Sequence, residues 1–403
     1  MIPFSPPRID QETIDEVISA LKSGWITTGP KTKLFEKKVT EYCGNKSTVA
    51  LNSATAGLEL VLRWYGVGEG DEVILPAYTY CATANVIIHC GATPVFVDVN
   101  ESDFNISTDA IRKAITAKTK VIMPVDIAGF PCDYDEINNI VRENSILKLF
   151  NSNSEEQSKL GRVLVLSDSA HSFGAYYKGR RAGCLTDISV FSFHAVKNLT
   201  TAEGGAVAFN LPPPFDNEDL YKHFCILSLH GQNKDALAKT QKGNWRYDIV
   251  EAGYKCNMTD ISASIGLVEL ARYDNDTLLK RKLIFDAYSE AFNKFDWAEL
   301  TPYSTEDKIS SFHLFPLRIK GVIESQRDTI IQEIFIQDVS VNVHFTPVPM
   351  MSFYKKMGYS IEDYPQSYLN YSREISLPVY YDLSEEQVQI VIKAVIYAVE
   401  KTL

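Results

Sequence analysis

The stretch "FSFHAVKNLTTAEGG" spans residues 191–205 and continues an apolar run, "DISV", at 187–190. A strand-like pattern ends, a single lysine follows at position 197, and then come two threonines and the glycine pair Gly204 and Gly205. A solvated lysine in a surface turn would produce this pattern, since most lysines are exposed charges. So would a nucleophile carried out of a buried strand, with glycines that let another backbone come close.

Working outward, apolar strands alternate with helical segments. "STVAL", "DEVILP", "TPVFVDV", "KVIMPVD" and "RVLVLSD" have strand character. Between them, "SATAGLELVLRWYG" aligns Leu58, Val61, Leu62 and Tyr65 on one helical face, and "YCATANVIIHCG", residues 107–117 and "DYDEINNIVRE" are further helices. Asp10 caps a first helix whose apolar positions are Ile14, Val17, Ile18 and Leu21, and a second carries Phe35, Val39 and Tyr42. Such alternation predicts an α/β architecture with a sheet covered on both faces and ligands at the carboxyl ends of its strands.

The alternation fades near 255–275. The expected organisation is a large domain over 1–265 and a smaller C-terminal α+β domain over 266–403. The latter holds a long helix near 276–294 and a last helix capped by Ser384 with Gln387 three residues on. The segment "FNSNSEEQSKLG" (150–161) is polar and predicts an exposed, mobile insertion.

A length of 403 residues and a net charge of −11 fit a soluble protein and exclude a general nucleic-acid binder, which needs a basic face. No apolar run is long enough to span a bilayer. The N-terminal residues "MIPFSPPRIDQE" lack a signal-peptide pattern. Seven scattered cysteines without a C-x-x-C pair, and seven histidines without metal-type pairing, suggest neither disulfides nor a metal site. A reduced, cytoplasmic protein is expected. Gly66, Gly68 and Gly70 precede a strand instead of opening a helix after one, so they form a turn and not a dinucleotide fingerprint.

What remains lies at the ends of strands. Asp168 closes "RVLVLSD" and leads to His171; Ser53, Ala54 and Thr55 sit where a strand meets a helix N-terminus, which favours anions; Tyr78 and Tyr80 precede another helix. Each has an ordinary reading as a cap or packing residue. Together they match the needs of pyridoxal phosphate: a lysine for its aldehyde, a carboxylate for its ring nitrogen, a helix N-terminus for its phosphate and an aromatic side chain for its ring face. Ser192 adds a hydroxyl.

The ordered segments "SGWITTGPKTKLFE", "NSATAGL", "PAYTYCATANVI", "SDSAH", "FSFHAVKNLTTAEGG", "AGYKCNMTDISASIGLVEL", "VHFTPVP" and "SREISLPVYYDLS" resemble the sugar-nucleotide aminotransferases of the DegT/DnrJ/StrS group. These are fold-type I enzymes that use pyridoxal phosphate (PLP) and its amino form (PMP). The resemblance implies that Lys197 bonds the cofactor and moves the proton, Asp168 pairs with its ring nitrogen, Tyr80 stacks on it and His171 lies close by. It also implies that Ser53, Ala54, Thr55 and Ser192 hold the phosphate, joined by Asn257 from the partner subunit of a homodimer. Trp25, Thr28 and His344 are implied sugar-nucleotide contacts. Cys256 stands where the group often has an aromatic residue, Ser167 and Ser169 where acidic and small residues are common, and the segment at 150–161 is longer than usual.

The implied reaction moves an amino group from glutamate to a nucleotide-linked keto-sugar, at C4 of a 4-keto-6-deoxy hexose by the likeness of "VHFTPVP" and "SREISLPVYYDLS". Three alternatives stand beside it: amination at C3, a PLP-dependent sugar dehydratase, and a non-catalytic member. Relatives that dehydrate carry histidine in place of the lysine, so Lys197 favours transamination.

Overall fold

A computed structural model describes residues 1–234 and 246–403. Its centre is a seven-stranded sheet. Across the sheet the strands run Ser47–Leu51, Gly205–Phe209, Ile188–Ser192, Leu164–Asp168, Thr119–Ile122, Glu72–Pro76 and Thr93–Val97. Every pairing is parallel except the two made by Gly205–Phe209, which is antiparallel to both neighbours. All five residues of Leu164–Asp168 and of Gly205–Phe209 are buried, as expected of central strands covered on both faces.

Helices follow the strands as the periodicity predicts. Ala54–Trp64 starts at Ser53, whose side chain accepts from the Ala56 amide, and buries Leu58, Val61 and Leu62. A second, three-stranded antiparallel sheet joins Ala298–Leu300, Phe315–Ile319 and Glu374–Leu377. Helices Leu278–Phe292, Glu324–Ile336 and Glu385–Thr402 accompany it. The last has the expected capping box at Ser384 and Gln387 and buries Val388, Val391, Ile392, Val395 and Val399. Helix Asp260–Ala271 runs through the anticipated boundary at 265 and packs on helices Gln11–Ser23 and Pro30–Cys43. The Asp260 carboxylate accepts from the amides of Gly29, Lys31 and Thr32.

The polar stretch at 150–161 is largely exposed as expected, but it is ordered locally and anchored: Glu155–Leu160 is a helix capped by Ser154 and closed by Gly161. Gln157 is fully buried, and its amide donates to the carbonyls of Tyr65 at 3.0 Å and Gly66 at 3.4 Å. A short polar sequence reads as loop because these attachments run through side-chain hydrogen bonds and not an apolar stripe. The first helix forms as expected, Gln11–Ser23 capped by Asp10, and it turns Ile14, Ile18 and Leu21 outward while Thr13 and Ala20 face inward. Amphipathic spacing marks a stripe, not what covers it.

Gln157→Ala is expected to lower unfolding stability by about 1–3 kcal/mol, the cost of leaving buried polar groups unpaired. Denaturant melts of wild type and variant check this; an unchanged midpoint would show that the segment is not anchored.

Candidate active site

Gly205 pairs with Leu51 on one side and Ser192 on the other, so three strand ends meet there. A Cβ at Gly205 would lie 2.4 Å from the Ala54 nitrogen and 2.4 Å from the Ser53 carbonyl carbon. Glycine is therefore required for the turn after Ser47–Leu51 to lie against the strand that follows Lys197. Gly204 is equally tight, 2.0 Å from the Thr201 hydroxyl.

A cavity of about 380 Å³ opens at these strand ends. Ser53, Ala54, Thr55, Tyr80, Asp168, His171, Ser192, Lys197 and His344 all line it. Trp25, Thr28 and Asn257 do not; Asn257 Nδ2 donates to Thr28 Oγ1 at 2.6 Å and Thr28 Oγ1 donates to the Met258 carbonyl at 2.5 Å, while the Trp25 amide donates to Ser23 Oγ at 3.1 Å. A larger, shallower groove of about 710 Å³ beside Trp64 and Phe215 contains none of these residues.

Lys197 is half-buried. Loss of solvation pushes its amine down to about 8, against the pull of the Asp168 charge. Asp168 is buried, with Oδ2 accepting from Thr83 Oγ1 at 2.8 Å and Oδ1 from the Ala170 amide at 3.2 Å. Burial pushes its carboxyl up, while Thr83, the Ala170 amide and Lys197 favour the charged form. Tyr80 caps the helix Cys81–His89 and stays exposed on the cavity wall, its ring 5.7 Å from that of Phe345. Tyr78 has the ordinary role: it is fully buried against Phe104.

The residues present fit pyridoxal phosphate. The amides of Ala54 and Thr55 begin a helix, where N–H groups have no partner within the helix. His171 is buried with Nδ1 unpaired among the described residues, as a ring waiting for a ligand would be. Its neighbour His313, at 4.4 Å between ring centres, is instead held by Asn198 at 2.8 Å.

Sequence patterns alone do not point to His313, Phe345, Phe4 or Ser5, all of which line the cavity. Phe4 and Ser5 arrive because Ile2 pairs with Val339, with the Ile2 amide donating to the Asp338 carbonyl at 2.7 Å. No local pattern announces such a long-range pairing.

Two outcomes are expected. Gly205→Ala should weaken pyridoxal phosphate binding more than tenfold in a fluorescence titration, because the added methyl must displace the Ser53–Ala54 backbone. Carbamylation of Lys197 by cyanate, followed by peptide mass spectrometry, should rise with pH to a midpoint near 8 and level off. Only the neutral amine reacts, and a lysine at its ordinary value would be only about 0.4% neutral at pH 8.

Comparison with known proteins gives the family and the fold. The profile of the DegT/DnrJ/EryC1/StrS aminotransferase family matches residues 7–396. Protein MJ1066 of Methanocaldococcus jannaschii is 40% identical over 98% of this chain and 96% of its own. The spore coat polysaccharide biosynthesis protein SpsC of Bacillus subtilis is 37% identical over 98% and 96%. Spr1654 of Streptococcus pneumoniae, assigned as a sugar aminotransferase and solved in its PMP form, is 48% identical with a TM-score of 0.96 over 100% of both chains. The same protein has been solved in a PLP form. With a lysine, a buried carboxylate and a helix N-terminus converging at the strand ends, and with a match along nearly its whole length, the chain belongs to the pyridoxal phosphate-dependent DegT/DnrJ/EryC1/StrS aminotransferase family.

Proposed function

We propose that the protein transfers the amino group of L-glutamate to the C4 keto group of a nucleotide-linked 4-keto-6-deoxy hexose, in the biosynthesis of a surface polysaccharide or related glycan. The observation that carries the transaminase reading is Lys197 in the cavity, desolvated to about 8 and facing the Asp168 charge. An amine so placed is about one-fifth neutral near physiological pH, far more than an ordinary lysine, and that fraction can accept a proton. The sugar class rests on the likeness to Spr1654 and SpsC, and the C4 position on the segments around His344 and Ser376.

When bound, pyridoxal phosphate supplies the aldehyde that carries the amino group and a ring that withdraws electrons from the adjacent carbon. Lys197 Nζ takes a proton from the substrate carbon and returns it on the other side of the transfer. Asp168, its orientation fixed by Thr83 and the Ala170 amide, would pair as a carboxylate with the ring nitrogen. Of the residues lining the cavity, Ser53, Ala54, Thr55 and Ser192 would hold the phosphate, Tyr80 would pack against the ring, and His171 would offer its unpaired Nδ1.

We further infer a homodimer. Ile14, Ile18 and Leu21 leave an apolar stripe exposed, and Asn257, with Trp25 and Thr28, lies outside the cavity of its own chain. Both are accounted for if a second copy covers the stripe and receives Asn257. Among the described residues no helix is long and apolar enough to cross a membrane, which is compatible with the cytoplasmic placement we propose.

Absorbance spectra test the reading. Wild type with pyridoxal phosphate should develop a yellow band that excess glutamate abolishes, and a 4-keto-6-deoxy sugar nucleotide should restore it. Lys197→Ala should lose turnover by several orders of magnitude. A band indifferent to glutamate would overturn the transaminase reading; restoration by a 3-keto but not a 4-keto sugar would overturn the C4 assignment.

A further inference from the structure

His344 is pinned at three points. Its amide donates to Glu374 Oε2 at 3.0 Å, its carbonyl accepts from Tyr78 Oη at 2.6 Å, and its Nδ1 lies 3.0 Å from Ser376 Oγ. Phe4 stacks on the ring, with centres 5.4 Å apart. Glu374 and Ser376 are both fully buried, and a short hydrogen bond joins Ser376 Oγ to Glu374 Oε1. The other ring nitrogen, Nε2, has no protein partner among the described residues, and the side chain lines the cavity.

We propose that Glu374 and Ser376 are positioning residues that set, through Nδ1, whether His344 presents a hydrogen or a lone pair at Nε2 to a hydroxyl of the sugar substrate. This assignment rests on the sugar aminotransferase reading. Direct contact with the substrate belongs to His344, and the two buried residues act through it.

The chain Glu374–Ser376–His344 has two self-consistent directions. With Glu374 ionised, the Ser376 hydroxyl donates to Oε1, His344 Nδ1–H donates to Ser376 Oγ, and Nε2 is a bare acceptor. With Glu374 protonated, Oε1–H donates to Ser376, Ser376 donates to Nδ1, and Nε2 carries the hydrogen. A hydroxyl, which donates and accepts through one oxygen, can answer either arrangement.

Burial pushes the Glu374 carboxyl up to about 8, while Ser376, the His344 amide, Arg327 and Arg318 pull it the other way. Tyr78 stands on the same side of Glu374 and, being buried, is held neutral. His344 itself is pushed down to about 4, first by burial and then by Lys197. His171 and His313 in the same cavity are also held neutral by burial. The imidazole of His344 thus stays uncharged through the neutral range, and only its tautomer changes. A partner that fixes the tautomer of a working histidine is a recurrent device at ligand sites.

The test is nitrogen NMR of holoenzyme labelled at histidine, with His344→Gln identifying the signal. Wild type should pass from the Nε2–H to the Nδ1–H tautomer as pH rises through about 8. In Glu374→Gln the amide oxygen accepts the His344 N–H and the amide nitrogen donates to Ser376, so Nε2–H should persist from pH 6 to 10. Ser376→Ala should lose the single preferred tautomer, and Ser376→Thr should restore it even if Glu374→Gln fails to fold. Ser376→Ala should also raise KM for the keto-sugar nucleotide about tenfold, with a smaller effect on kcat. A wild-type tautomer indifferent to pH, or one unaltered in Ser376→Ala, overturns the relay. Because the spectrum reports the ring directly, that result is distinct from failure of the glutamate reaction, which would overturn the aminotransferase reading instead.

Discussion

The strand Gly205–Phe209 runs against the direction of both its neighbours, and its first residue is where the backbone of Ser53–Ala54 comes closest. No side chain can be accommodated at that point. The contact fixes the distance between the helix N-terminus suited to an anion and the loop that delivers Lys197. Asp168, at the end of a strand paired with Ile188–Ser192, is registered to the same reference. The remaining cavity residues can be placed because these three are.

Burial then acts on charge in two directions at once. It lowers the Lys197 amine and raises the Asp168 carboxyl, pushing both toward neutrality, while their mutual attraction resists. Three of the imidazoles that line the cavity, those of His171, His313 and His344, are driven the same way as the lysine. A positively charged imidazole is thus disfavoured here, and these rings serve as neutral hydrogen-bonding groups.

Much of this architecture is legible in the amino-acid sequence. Strands covered on both faces leave unbroken apolar runs, and residues at their carboxyl ends, Lys197 and Asp168 among them, stand out against those runs. The helix at 155–160 is hidden because its anchors, Ser154 and Gln157, are polar and act through hydrogen bonds to a distant turn. The direction faced by Ile14, Ile18 and Leu21 is hidden for a different reason, since periodicity is silent on what a stripe meets. Phe4, Ser5 and His313 reach the cavity through tertiary pairing alone. Glu374 and Ser376 lie in a segment, "SREISLP", whose likeness to the family is plain, yet no local pattern reveals their buried hydrogen-bond chain to His344.

The pairing of Ile2 with Val339 bears on the order in which the protein is built during synthesis. Phe4 and Ser5 are translated early, yet the strand partner that carries them to the cavity is translated hundreds of residues later. The central sheet can assemble as the chain emerges from the ribosome, since all its strands lie before residue 210. The wall formed by Phe4 cannot. A nascent chain would hold a finished sheet above an incomplete site until the segments that place Phe4, His313, His344 and Phe345 appear, so the cavity wall is completed late.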